Sequence, residues 1–244
     1  MKQKIGFITI LGALCFSVSG CKGDTDDINK QVSKMNNIIE QGDIFSKDYR
    51  IEGEISSKYG NNENSIEYLL KKDGSTYYVE LESEFNDKEN TIRYWLEKEN
   101  SSYYVYYDDG IDKLYLEINE NDKVNDILGD IFTDAGVSIN PDLKTAYENI
   151  KSNIESSIDS CNENSIEGLT CKVDKTLFGK VTFNMNYSLK DTNSNSSFVL
   201  KKGKVMEVSS LYTSDNSYVS SEVEFDYGNQ KISLPNKDEY VKSN

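Results

Sequence analysis

The chain has 244 residues, enough for one large domain or two small ones, and carries 27 Lys and Arg against 42 Asp and Glu, a net charge of −15. Such a polyanion is repelled by nucleic-acid phosphates, which sets a DNA- or RNA-binding role aside. There is no His, so the commonest general base, the commonest zinc ligand and every Ser/His or Cys/His nucleophile are missing, and carboxylate chemistry is the one enzymatic route left.

Lys2 and Lys4 precede an apolar run from Ile5 to Phe16, and the small residues Ser19 and Gly20 precede Cys21. Two cations, a short apolar segment and small residues before a cut describe a secretory signal peptide over residues 1–20. The run is too short for a bilayer, which takes roughly 20 residues to span. The stretch Val18-Ser19-Gly20-Cys21 resembles the bacterial lipobox. That resemblance implies cleavage before Cys21, a diacylglyceryl group on its thiol, and a place on the extracytoplasmic face of a cell membrane. The plain alternative is a secretory signal with an incidental Cys. Without residues 1–20 the balance becomes 42 acids against 25 bases, or −17, so an anionic membrane surface repels the chain and the lipid is expected to do the tethering. Residues 21–27 form the lipidated Cys and a short polar tether; the six from Lys22 to Asp27 reach at most ~20 Å, which holds the domain close to the bilayer.

Residues 28–235 read as one domain. Ile28, Val32, Met35 and Ile39 recur at helical spacing, with Asp26 or Asp27 as N-cap and Gly42 as the stop. From Tyr49 to Ile118 the period falls to two: six strands carry the rows Tyr49/Ile51/Ile55, Ile66/Tyr68/Leu70, Tyr77/Val79/Leu81, Ile92/Tyr94/Leu96, Tyr103/Val105/Tyr107 and Leu114/Leu116/Ile118, joined by short polar turns as an antiparallel meander. Val124, Ile127, Leu128 and Ile131 then mark a helix ending near Ala135-Gly136. Pro141 opens a third helix with Leu143, Tyr147, Ile150, Ile154 and Ile158 on one side. Beyond Cys171, strands are expected at Val181–Leu189, Phe198–Leu200, Val205–Leu211, Val219–Tyr227 and Ile232–Leu234, the last stopped by Pro235. Residues 236–244 read as a frayed tail.

Of the four Cys, Cys15 leaves with the signal peptide and Cys21 is the lipid acceptor. Cys161 and Cys171 remain, an even pair in an oxidising compartment, and are expected to form a disulfide worth on the order of 2–3 kcal/mol. Two free thiols, or half a metal site, are the alternatives; zinc would want closer Cys pairs or His partners.

The order helix, six strands, two helices, five strands, closed by Phe225-Asp226-Tyr227-Gly228 and Ile232-Ser233-Leu234-Pro235, resembles the LolA/LolB-type half-barrel lipoproteins, shared with the mycobacterial LppX/LprG-type. The resemblance implies an α+β fold: a curved antiparallel half-barrel of about 11 strands whose concave face is covered by three helices, two of them inserted mid-chain, with a cavity for acyl chains between. Two small α+β halves split near residue 140 are the rival architecture.

Opposite the regular apolar rows lie Leu69, Tyr78, Trp95, Tyr104, Tyr106 and Tyr115, so both faces of the middle strands are partly aromatic. Tyr and Trp suit pleated, half-buried surfaces for their own sake, and the same row would also serve as a partner-binding face or a ligand lining. The acidic groups Asp24/Asp26/Asp27, Asp108/Asp109/Asp112 and Glu120/Asp122/Asp126 fit no twelve-residue calcium loop and fall where turns and helix starts want Asp. No metal or other cofactor is expected, and no Gly-rich phosphate loop or Gly-x-Ser-x-Gly elbow appears. The reading is a monomeric, non-enzymatic envelope lipoprotein sheltering a hydrophobic ligand such as acyl chains, with Phe183, Met185, Leu116 and Ile150 as lining candidates. The alternative is a solid-cored surface lipoprotein that meets a protein partner through Tyr78, Trp95, Tyr104, Tyr106 and Tyr115.

Overall fold

A computed structural model describes residues 25–85, 88–119, 123–137, 139–162 and 166–243. The leader-like segment 1–20, Cys21 and, of the acidic groups, Asp24, Glu120 and Asp122 lie outside the described residues. Helix α1 (Asp26–Gln41) has Asp26 and Asp27 in its first turn, where they favour the helix dipole, and ends at Gly42, whose φ of 73° only glycine adopts freely. The six-strand meander follows as β1 (Tyr49–Tyr59), β2 (Asn62–Asp73), β3 (Thr76–Phe85), β4 (Lys88–Glu99), β5 (Ser102–Asp108) and β6 (Lys113–Asn119). Helices α2 (Val124–Asp134) and α3 (Leu143–Asn162) interrupt it. Strands β7 (Leu169–Lys175), β8 (Lys180–Leu189), β9 (Thr192–Lys201), β10 (Lys204–Ser214) and β11 (Ser217–Tyr227) resume it, and a short β12 (Val241–Lys242) ends the order.

The result is an α+β protein with a single open sheet in the order β12-β6-β5-β4-β3-β2-β1-β11-β10-β9-β8-β7. The strands before and after the helical insertion are joined through β1 and β11, which pair over their full length from Tyr49↔Tyr227 to Tyr59↔Ser217. All pairings are antiparallel except β12 on β6.

The rows expected to be buried face the helices. Tyr49, Ile51, Tyr68, Leu70, Val79 and Leu96 are buried, with Phe132 of α2 set edge-on to Tyr68 at 6.0 Å between ring centroids. From α3, Tyr147 packs edge-on against Phe45 and its hydroxyl donates to that of Tyr227, which in turn donates to the Val205 carbonyl at 2.6 Å. Burial pushes the Tyr147 phenol up to about 12. Two glycines are set by close approach. A Cβ on Gly53 would lie 2.4 Å from the Tyr68 hydroxyl and 2.5 Å from the Glu222 carbonyl, because the Tyr68 ring lies across Gly53 from the next strand. One on Gly203 would meet the Lys34 backbone at 2.7 Å, and here φ is also positive, so α1 rests directly on the β9–β10 turn.

The structure corrects two expectations and adds a strand. Residues 232–234 pair with no strand, since β11 already has neighbours on both sides and the chain leaves the sheet at Gly228. Residues 236–243 are not frayed: a 3-10 turn (Lys237–Glu239) and β12 dock them on the sheet, and Tyr240 is buried. Strand β7 was absent from the sequence reading. Of its row Leu169/Cys171/Val173 only Leu169 is buried, and the Cys171–Cys161 disulfide ties the strand to the end of α3.

Candidate functional site

A cleft of about 1120 Å³ opens between α2, α3 and strands β10, β11 and β1. Its floor is apolar: Ile51, Val208, Val223 and Phe225 from the sheet and Ile150 from α3. The register explains the grouping, since Ile51 pairs with Phe225 and Val223 with Val208, all on the helix-bearing side. The walls are polar. Asn125, Asp126, Asp130 and Thr133 come from α2, and Thr145, Asn149 and Asn153 from α3. At one end the helices are tied together where Asn125 Nδ2 donates to Asp142 Oδ2 at 2.8 Å, while Asp142 Oδ1 caps α3 by accepting from Thr145 N–H. Tyr49 Oη donates to the Pro141 carbonyl there. Gly129, mid-way along α2, leaves the wall bare, because a Cβ built on it meets nothing within 4 Å.

Beside the floor, the Tyr68 hydroxyl is buried over Gly53 with no hydrogen-bond partner among the described protein groups, and burial raises its pKa. Gly53 pairs on its other side with floor residue Val223.

Of the four lining candidates, only Ile150 borders this cleft. Phe183 is fully buried in the core, stacked on Phe198 at 6.3 Å, and Met185 is half-buried against the same core. Leu116 lies far off on β6, 45 % exposed. Cys161 and Cys171 are disulfide-bonded.

The aromatic residues of the opposite face do come together. Tyr78, Trp95, Tyr106 and Tyr115 are successive cross-strand neighbours on β3 to β6. Tyr104 lies two residues along β5, opposite Glu97 and Glu117. The occupant of the row is the chain's own C-terminal segment. Trp95 Nε1 donates to the Ser233 carbonyl at 3.1 Å, and Tyr240 stands edge-on to Trp95 and Tyr106 at 6.5 and 5.4 Å. Lys237 pairs with Glu97 at 2.7 Å and with Glu99, and Lys113 pairs with Glu239 at 2.6 Å. Tyr106 is left 4 % exposed. The segment is a strap that leaves the sheet after Tyr227 and is fastened on β4, β5 and β6. Sequence reasoning missed it because Pro235 and the polar stretch after it look like an ending; Lys237 and Tyr240, a cation and an aromatic in that stretch, were the available signal.

The rest of this face is acidic. Glu222, Glu54, Glu67 and Glu82 stand directly opposite one another across β11, β1, β2 and β3. The carboxylates of Glu207, Glu222 and Glu224 approach within 4.8 Å. They are the described groups best placed for a cation, though an exposed acidic cluster alone does not define a site. The described acids of the three sequence clusters serve local structure: Asp109 accepts from the N–H groups of Ile111 and Asp112, and Asp27 pairs with Lys175 at 2.8 Å. Asp126 sits in the first turn of α2.

No protein-family model matches the chain, and no curated protein matches it significantly. Among the described residues no helix is long and apolar enough to cross a membrane.

Proposed function

We propose that the chain is a lipoprotein, held at the extracytoplasmic face of a membrane by an acyl-modified Cys21, that binds the hydrocarbon portion of an amphiphilic ligand in the cleft between its helices and its half-barrel sheet. The observation that carries this is the cleft: about 1120 Å³ with an apolar floor of Ile51, Val208, Val223, Phe225 and Ile150 and a wall left bare at Gly129. The apolar floor suits a hydrocarbon chain, and the polar walls, which outnumber the floor residues, suit the polar part of the same ligand. The protein acts as a carrier or reservoir and performs no catalysis. Its aromatic row already holds the chain's own strap, which is why the cleft carries the proposal and the row does not.

Residues 22–244 contain every described contact, so this segment, purified without detergent, serves for native mass spectrometry. Extra mass that is removed by organic extraction, or uptake of an added phospholipid or fluorescent fatty acid, is the expected result. Gly129→Leu should abolish uptake while leaving the fold intact, because its side chain enters open space and leucine favours a helix over glycine by up to ~1 kcal/mol. A clean apo mass with no uptake by the unaltered chain would sink the reading.

A further inference from the structure

The hairpin turn between β7 and β8 carries Leu177 and Phe178 at its tip, 102 % and 85 % exposed, the largest pair of adjacent apolar side chains given to solvent among the described residues. Nothing in the fold covers them, and nothing in the turn geometry asks for them. Gly179, at φ +75°, makes the turn, and the Thr176 N–H and hydroxyl close it on Lys180. Two such side chains in water are a standing cost that a binding surface would relieve.

Charge distinguishes this tip from the other exposed apolar positions. Ile111 is 89 % exposed, but it sits in a turn between Asp109 and Asp112. The Leu177–Phe178 tip is flanked by Lys175 and Lys180. Lys180 pairs in register with Lys201, which brings the β9–β10 turn, Lys201-Lys202-Gly203-Lys204, alongside. Helix α1 lies on that turn, where the Gly203 N–H donates to Gln31 Oε1 at 2.7 Å, and it adds the exposed Lys30 and Lys34. Seven lysines thus gather at one corner of a chain with 27 basic residues and a net charge of −15. The acids near them include Asp26, Asp27 and Asp174, with Asp43 and Asp48 lining one pocket with Lys204; Asp27 is paired with Lys175 and Asp174 with Lys172. Much of the chain's acidic excess lies elsewhere, on the glutamates of the helix-free face and on α2 and α3.

Position supplies the third observation. The Asp27–Lys175 pair fixes the start of α1 against the base of the same hairpin. Cys21 is four residues before Thr25 and therefore within about 14 Å of it.

We infer that the Leu177–Phe178 tip and the lysines around it form a docking face for an anionic phospholipid bilayer, so that the domain is seated on the membrane in one orientation beside its own anchor. The apolar pair enters the acyl boundary while the lysines meet lipid phosphates, a pairing of apolar area with a cluster of four to eight cations that favours anionic surfaces. The net charge of the chain hides this corner. Its placement beside an anchor rests on the proposed acylation of Cys21, whereas the docking of the tip does not.

The two can therefore be tested apart. Residues 22–244, which lack the acyl acceptor, are sedimented with vesicles of phosphatidylglycerol or of phosphatidylcholine. Binding is expected to phosphatidylglycerol at low ionic strength, to weaken in 0.5 M salt (about one Debye length of 4 Å), and to fall about tenfold or more in the double variant Leu177→Asp/Phe178→Asp. Ile111→Asp, the same change at an exposed site of acidic surroundings, should leave it unaltered. No difference between the two lipids, no binding at all, or binding indifferent to the double variant overturns the proposal. In the full chain on vesicles, an environment-sensitive label at Phe178→Cys should be quenched by doxyl lipids and one at Asp191→Cys should not. Equal quenching, or none, overturns the orientation. An unmodified Cys21 mass would remove the anchor and leave the sedimentation result to judge the tip.

Discussion

The two faces of the sheet use similar residues and are covered in different ways. On the helix-bearing face, Tyr49, Tyr68 and Tyr77 lie beneath three helices and are buried in a continuous core that runs from α1 to α3. On the opposite face, Tyr106 is buried to the same degree by a strap that touches the sheet at a few points: one hydrogen bond from Trp95, the rings around Tyr240, the ion pairs of Lys237, Lys113 and Lys242, the two residues of β12 and the Ser243 N–H on the Tyr115 carbonyl. Burial of an individual side chain thus says little about how firmly its region is held. A helix-covered face is stabilised by area spread over many residues, and a strapped one by a handful of fastenings that can be lost together.

The widest test of that contrast is Phe132→Ala. Phe132 is fully buried and edge-on to Tyr68, so its truncation should cost about 3–5 kcal/mol in a denaturant melt and unfold the sheet as a whole. Tyr240→Ala should cost less, about 1.5–3 kcal/mol at most, and act locally, releasing the strap and exposing Trp95 and Tyr106 while the main melting transition is kept. Near-ultraviolet circular dichroism and tryptophan emission would report the difference; equal global losses would show that the strap is part of the core. Acid should resemble Tyr240→Ala. Hydrogen bonds from Lys237 to Glu99 and from Lys113 to Glu239 hold both carboxyls below the ordinary glutamate value of 4.5. Their contribution is complete above that value and is lost as pH falls through the lower folded-state values, so Trp95 emission should shift in acid before the main unfolding step.

How far the sequence carried the fold follows from the same contrast. Strands with a period of two and helices with a clean apolar side were legible: β1 to β6, α2 and α3 fall within a few residues of their expected places, because each has a local pattern strong enough to stand alone. Strand β7 and the strap have no such pattern. Of Leu169, Cys171 and Val173 only Leu169 is buried, and Tyr240 is a single anchor whose burial depends on a row some 140 residues earlier. The residues of the aromatic row were identified, but their occupant was not, since alternation shows that a strand has two faces and never what covers the second. The cleft was the least legible. Its floor is drawn from β1, β10, β11 and α3, and its walls are Asn, Asp and Thr side chains that read on each helix as ordinary solvent-facing residues. Only Ile150 was reached in advance.

The smallest effect expected is also the one that bears most directly on the uncovered part of the helix-free face. Glu67 stands between Glu54 and Glu82, with Glu222 beyond Glu54, so four like charges occupy one row across four adjacent strands. All four are exposed, and directly opposed like charges cost roughly 0.2–1 kcal/mol per pair even so. Glu67→Gln keeps the size and β-strand fit of the side chain and removes one charge from two such pairs. It should raise stability by about 0.5 kcal/mol at low ionic strength, and the gain should shrink towards zero near 1 M salt, where screening falls to about 3 Å. A gain that persists in salt would mean that packing, not repulsion, limits this row. Glu97→Gln gives the opposite sign on the strapped part of the face, because its partner is Lys237 at 2.7 Å and not another carboxylate. One substitution chemistry thus stabilises the open region and destabilises the fastened one. That sign difference follows from the charges each glutamate meets, carboxylates on the neighbouring strands for Glu67 and the strap's Lys237 for Glu97, and could not be read from composition.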